Sequence, residues 1–514
     1  MSLEKVPKAA WAAIGVVAIA IVVVVVILAT GSSSSSGDAS NLSGEASPGV
    51  DLASTRNVTK SPIDSGNVSG LEEAWSLPAA AESSYGAYAT TPAVSNGVAY
   101  IQDLESNVQA VNVEDGSVLW SKNYEQPDQG PNGVWVSEHR VYGATPKGAF
   151  ALDQETGEQL WQTNLAKGIL EIDMPVGAHD GLVYVSTVPV TVSSTYPAGG
   201  VGTLYALDAK TGKEVWHFDT VPAGLWGDKS NNSGGGLWYE PTFDENGGMY
   251  FGVGNPVPFP GTTGKPWGSS RPGPNTYTDS VVKLDAKTGK LQWFHQVTPH
   301  DIYDWDQQDP PMLVDSGGRE LAISAGKSGI VVALDAKTGK PVWQRPVGTH
   351  NGHDEDGLLA MRGETSKIKS GEVFPGTLGG VIAPMATDGK TAFIPVVNHP
   401  LTIDSRGTEI GEGGSIGGEL VALDVATGKV KWKTELPGAA FGAPVVVNDV
   451  VFASSSDGTV FAFDAKTGGE LWVQSLPAGI NAGLAVSGDT LLAPAGFTAA
   501  EGQAPALVAY RLPG

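Results

Sequence analysis

The sequence predicts an all-β fold, an eight-bladed β-propeller of tryptophan-bearing repeats preceded by one N-terminal transmembrane helix. Three observations carry that prediction. An uncharged apolar run lies near the amino terminus, a strand–turn–strand motif returns seven times, and two half-motifs at the ends complete an eighth. Composition agrees. The 514 residues include 68 glycines and 34 prolines, about a fifth of the chain, which is turn-rich but short of the roughly 25–30% of a low-complexity sequence. Charged residues are 17%, below the usual quarter, so most of the chain is expected to bury a core. The net charge of −24 argues against a nucleic-acid partner, which needs a basic face. With no cysteine, disulfides, thiolate metal sites and c-type haem attachment are excluded.

Taken in chain order, residues 1–8 read as a short cytoplasmic tail. Residues 9–30 carry no charge, and 21–28 are entirely Val, Ile and Leu. Twenty-two helical residues span roughly 33 Å, enough for a bilayer's hydrocarbon core and longer than the apolar core of a cleaved signal peptide. Lys5 and Lys8 precede the span, so the positive-inside rule puts the tail in the cytoplasm and the remainder outside. The expected location is therefore the cell membrane, single-pass, with the propeller on the extracytoplasmic side. Residues 31–69 are rich in Ser, Gly, Asn and Asp and are expected to form a flexible linker. Residues 70–514 form the propeller.

The repeat reads Ala-Leu-Asp-Ala-Lys-Thr-Gly-Lys-Glu-Val-Trp216, with further copies ending at Trp120, Trp161, Trp293, Trp343, Trp432 and Trp472. Each copy implies a strand, a tight turn with glycine in the left-handed region, and a second strand ending on tryptophan. Two more alternating strands precede several copies, giving the four strands of a blade. The carboxyl-terminal Leu507-Val-Ala-Tyr-Arg-Leu lacks its turn and tryptophan, whereas Leu71-Glu-Glu-Ala-Trp75 has only the last strand. Joined, they close the ring and remove its open edge. Two spacings, 216–293 and 343–432, exceed the others, so the long loops that carry sites are expected there.

The repeat resembles that of the pyrroloquinoline quinone (PQQ) dependent alcohol dehydrogenases, in which the tryptophan docks neighbouring blades. Three segments between repeats extend the resemblance. Gly234-Gly-Gly-Leu-Trp238 with Gly252-Val-Gly-Asn255 resembles the family's cofactor-stacking tryptophan and metal-ligand asparagine. Thr298-Pro-His-Asp-Ile-Tyr-Asp304-Trp-Asp306 resembles the catalytic loop, and Ala325-Gly-Lys327-Ser-Gly the segment whose basic side chain contacts the quinone. The resemblance implies that Asp304 is the catalytic base and that Trp238 and Lys327 bind the cofactor. It also implies Asn255, Asp304 and Asp306 as metal ligands. Asp304 and Asp306 are two apart and in extended chain point the same way. With the Asn255 amide they offer an all-oxygen site for calcium, or for a lanthanide as the resemblance at Asp306 implies.

The chain also departs from the family. Residues 186–203 contain no acidic side chain where another ligand is expected, there is no cysteine pair, and Asn132-Gly133 stands where an arginine is expected. Phe441 lies near the position of a capping tryptophan, and no asparagine is evident in 379–385. Separately, His350-Asn-Gly-His353-Asp354-Glu355-Asp356 reads either as a metal-binding cluster or as a polar loop.

Two functions follow. One is a membrane-tethered quinoprotein oxidoreductase that oxidises an alcohol or sugar with PQQ and a bound cation and passes electrons to a separate acceptor. The other is a cofactor-free propeller of the same ancestry that serves as a cell-surface binding scaffold.

Overall fold

The computed structural model describes residues 45–83, 85–190, 199–226, 230–498 and 502–514. The expected tail and apolar span, and residues 31–44 of the expected linker, lie outside the described residues. Among the described residues, no helix is long and apolar enough to cross a membrane. The described chain is an all-β propeller.

Its described residues include eight sheets with four antiparallel strands each, every one drawn from a single stretch of the chain except where one sheet joins the two ends. The first comprises Ala93–Ser95, Val98–Gln102, Val108–Asn112 and Val118–Lys122. Strand composition follows position. Second strands such as Val98–Gln102 and Leu182–Ser186 are buried along their whole length and read as apolar runs. Outermost strands such as Gln159–Asn164 alternate between exposed and half-buried, the period-two pattern of a strand covered on one face. Innermost strands of neighbouring sheets touch around the centre. Closure is as expected: Glu72–Pro78 pairs with Ala506–Arg511 as the outer strand of a sheet completed by Thr490–Ala495 and Ala485–Ser487.

The tryptophans dock each sheet on the next. Trp75 Nε1 donates to the Val113 carbonyl at 2.9 Å and Trp120 to Gln154 at 3.0 Å. Trp293 donates to Ala336 at 3.1 Å and Trp343 to Val425 at 2.8 Å. Trp161, Trp216 and Trp432 repeat the contact, and Trp472 donates to Leu71 at 3.2 Å, which joins the last sheet to the first strand. The repeat glycine serves this dock twice. Gly339 has φ of 68°, and a Cβ there would lie 2.6 Å from the Trp293 indole. A side chain is therefore excluded both by conformation and by the ring packed over the turn.

Residues 45–69 correct the linker expectation, because they are folded onto the propeller. Their backbone crosses the innermost strands: Ala46 pairs with Val136, Phe243 N–H donates to Leu52, Leu313 to Ala53, and Thr387 to Thr55. Asn57–Val58 then adds a parallel fifth strand to Val445–Val447. Ile63 and Val68 are fully buried. The segment is polar in composition because it satisfies edge N–H and C=O groups with its own backbone, which demands no apolar side chains.

Gly339→Ala is expected to lower stability by about 1–3 kcal/mol, read as a lower urea midpoint. A chain beginning at residue 70 is expected to melt several degrees lower than the full chain in calorimetry, because the inner strands lose these backbone partners.

Candidate functional site

Three loops that leave different sheets converge on one pocket. Gly234, Gly235 and Gly236 all have positive φ and carry the chain tightly back toward 254–255, where Gly235 N–H donates to the Asn255 carbonyl at 2.9 Å and Gly254 N–H to Gly236 at 2.9 Å. This turn delivers Trp238. The Asn255 N–H in turn donates to Asp306 Oδ1 at 2.6 Å. A Cβ on Gly254 would stand 3.1 Å from both that oxygen and Trp238 Nε1, so glycine lets the tryptophan and the acid share one corner.

The 299–309 loop brings both expected acids inward. Asp304 has φ of 67°, an uncommon left-handed conformation for a residue with a side chain. Its Oδ2 lies 2.9 Å from Lys327 Nζ, and Asp306 Oδ2 lies 2.5 Å from the same ammonium. The Lys327 N–H donates to the Asp306 carbonyl at 2.9 Å. Asn255, Asp304 and Asp306 are all buried. Burial pushes the Asp304 carboxyl well above the usual range, with Lys327 opposing and Asp306 reinforcing the rise. Asp304 Oδ1 is buried without a hydrogen-bond partner. Every residue that the sequence singled out for the site is thus brought to one place.

The pocket is a cavity of about 320 Å³ whose walls include Trp238, Tyr239, Lys327, Ile382, Phe441 and Phe497. Phe441 is a wall residue, and Ile382 supplies a carbonyl that accepts from Gln308 at 2.6 Å and from Tyr239 at 3.2 Å. Asn132 is absorbed into the fold, its Nδ2 donating to the Asp103 carbonyl at 2.8 Å. The 350–356 segment does not form a metal cluster. His350 pairs with Asp354 at 2.7 Å and His353 with Asp356 at 2.5 Å. No group of three His, Cys, Asp or Glu is arranged to hold a metal among the described residues.

Two groups escaped the sequence reading. Asp128 and Asp173 are buried and hydrogen-bonded to each other, and burial with their mutual repulsion pushes Asp128 well above the carboxylate range. They stand behind Gly130, whose Cβ would lie 2.5 Å from Asp173 and 3.0 Å from Trp238. Arg56, from the inner-strand segment, lies 3.5 Å from the buried Glu240, next in sequence to Tyr239. Its attraction opposes the burial that raises Asp309. No motif marks either group. The only signal is an acid inside an otherwise apolar stretch, as at Ile172-Asp173-Met174-Pro175.

Comparison with known proteins finds relatives of the propeller. A family described as "Glucose/ethanol/alcohol dehydrogenase, beta-propeller domain" matches residues 166–356, the stretch that carries all five site residues, and "Outer membrane protein assembly factor BamB" matches 412–511. A quinohemoprotein alcohol dehydrogenase of Comamonas testosteroni is 28% identical over 500 residues, covering 82% of this chain and 68% of the relative. These matches support a likeness to the PQQ-dependent alcohol dehydrogenase-like β-propellers. A quinoprotein ethanol dehydrogenase of Pseudomonas aeruginosa is 27% identical over 502 residues, covering 81% of this chain and 79% of that protein. The crystal structure of the Comamonas testosteroni quinohemoprotein superposes with a TM-score of 0.75 at 25% identity, over 91% of this chain and 81% of that one. In this chain's site one lysine is tied to two acids, and Asn132 is buried in the fold.

Lys327→Met strips the counter-charge from two buried acids and is expected to cost on the order of 3 kcal/mol. Adding Asp306→Asn is expected to restore part of that loss. Urea unfolding followed by tryptophan fluorescence checks both.

Proposed function

We propose that the protein is a membrane-tethered, extracytoplasmic quinoprotein-type oxidoreductase that oxidises an alcohol or sugar with PQQ and a bound calcium or lanthanide ion. Its electrons pass to a separate acceptor. Under this reading the eight sheets are the blades of one closed ring, held at the cell membrane by residues 9–30. The observation that carries it is the gathering of Asn255, Asp304 and Asp306 beside Lys327, which with Trp238 lines the pocket, within a chain related to quinoprotein alcohol dehydrogenases over about four fifths of its length.

The residues fit the implied groups. An indole in a pocket wall suits a planar quinone. Two carboxylates and an amide suit a hard cation, and the unpartnered Asp304 Oδ1 is an acceptor with nothing yet to accept. Asn255, Asp304 and Asp306 would hold the cation, while Trp238 and Lys327 would hold the quinone. When bound, PQQ supplies a two-electron acceptor and the cation a Lewis acid that polarises it.

The chain's own part is proton handling and exclusion of water. Asp304 Oδ1 takes the proton of the substrate hydroxyl, a task suited to a carboxylate whose affinity for a proton is raised by burial. Lys327 holds the other oxygen of Asp304 and so leaves Oδ1 as the oxygen without a partner. Phe441, Phe497 and Ile382 keep the pocket apolar, which strengthens each charge interaction inside it.

One observation favours a second reading, a cofactor-free surface scaffold: Lys327 already neutralises Asp304 and Asp306. Titration separates the two. With PQQ in calcium, in lanthanum and in chelator, the enzyme is expected to show metal-dependent quenching of tryptophan fluorescence. Asp304→Ala is expected to lower the rate of alcohol oxidation with an artificial electron acceptor by about 10²–10⁴-fold. No quenching in any metal at high micromolar PQQ leaves the scaffold.

A further inference from the structure

The left-handed backbone at Asp304 is unfavourable for a residue with a side chain, by roughly 1–2 kcal/mol, so something must hold it. Part of the hold is local. Asp301 is fully buried and accepts from the N–H of Tyr303 and from the N–H of Trp305, both at 2.8 Å. Its two oxygens thus bracket Asp304 from either side.

The rest comes from the long loop that follows Trp343. Tyr303 Oη donates to Asp356 Oδ2 at 2.6 Å, and the same oxygen meets His353 Nδ1 at 2.5 Å. All three side chains are buried. Trp305 Nε1 donates to the Pro375 carbonyl at 3.1 Å. The short helix Asp356–Met361 lies backbone to backbone against the site loop, because a Cβ on Gly357 would stand 2.1 Å from the His300 carbonyl oxygen. The same loop also reaches the turn of Lys327. Val381 N–H donates to Gly326 at 3.0 Å, and a Cβ on Gly380 would stand 2.1 Å from the Lys327 carbonyl oxygen. One segment therefore grips both backbones whose side chains meet at 2.9 Å in the Asp304–Lys327 pair.

We propose that Asp356 is a positioning residue, acting through Tyr303 on the backbone of Asp304, and that residues 347–381 form a clasp that aligns Asp304 with Lys327. The proposal rests on the reading of Asp304 as the base. It accounts for the 350–356 cluster as a hydrogen-bond junction, since Asp356 takes two donors on one oxygen and so joins the clasp to the site loop. An asparagine there can accept from both donors with its one carbonyl oxygen but lacks the carboxylate's charge, so both bonds weaken, whereas phenylalanine at 303 deletes one bond and leaves the carboxylate and its histidine in place.

The test uses the full chain, with Tyr303→Phe, Asp356→Asn and the double variant. Hydrogen exchange by mass spectrometry, without cofactor, is expected to show amides 302–306 exchanging at least tenfold faster in each variant, with the blade strands unchanged. In the loaded enzyme kcat is expected to fall about tenfold with KM within about twofold. The double variant is expected to be no worse than the poorer single one, because both cut one connection. Wild-type exchange at 302–306 in Tyr303→Phe overturns the proposal, as does a double variant whose losses multiply. Should Asp356→Asn not fold, Tyr303→Phe decides alone. A wild-type chain without PQQ binding or activity defeats the enzymatic reading, and the exchange rates then decide the clasp by themselves.

Discussion

The docking of each tryptophan on the next sheet is the constraint from which the rest of the molecule follows. A four-stranded sheet buries its middle strands only if something covers both faces, and here each neighbour does so. The indole fixes the distance and angle between sheets by several simultaneous contacts. Its N–H must reach a particular carbonyl, its face lies on a turn glycine, and in several sheets it also meets an aromatic residue, such as Tyr142 at 6.2 Å from Trp161. Repeated around the ring, that geometry sets the width of the centre and hence how far loops from opposite sides must reach to meet.

The site is built on that frame but not by it. Asp304, Lys327, Asn255 and Trp238 all lie on connections between strands. Their alignment depends on buried polar contacts among the loops, such as Asn255 N–H to Asp306 and Lys327 N–H to the Asp306 carbonyl. Such contacts are strong in an interior of low polarizability and costly when incomplete. The frame therefore tolerates changes at outward-facing strand positions such as Val215 and Val430, both about half exposed, while the site loops leave little room. The glycines at 254, 326 and 357 show how closely backbone and side chain are stacked there.

The sequence revealed what is periodic and what is carried by a motif. Seven repeats and two half-repeats gave the sheets and their closure, because tryptophan and glycine at fixed spacing report a repeated packing demand. The convergence of Asn255, Asp304, Asp306, Trp238 and Lys327 was legible through the resemblance of three short segments. Backbone pairing was not legible. Residues 46–58 bind inner strands through N–H and C=O groups that every residue has, so their polar composition looks like that of a tether. The Asp128–Asp173 pair was hidden for another reason: the two acids are far apart in sequence and meet only in the folded ring. The 350–356 segment misled because its residue types suit a metal, whereas each imidazole there already has a carboxylate of its own.

Ring closure has a consequence for how the molecule comes into being. The strand that begins at Glu72 waits for a partner that ends at Arg511, so the first propeller strand made pairs with the last. Until residues 506–511 are made, Glu72–Pro78 has no ladder, and the first sheet has no neighbour on one side. Contacts between such distant points form slowly, since the intervening chain must be ordered first. Before those residues emerge, the nascent chain is a row of sheets with two raw ends, competent to pair with another chain, and their pairing seals it. Loss of even the last strand leaves an open arc, so a truncated product is marked for aggregation or degradation by its shape alone.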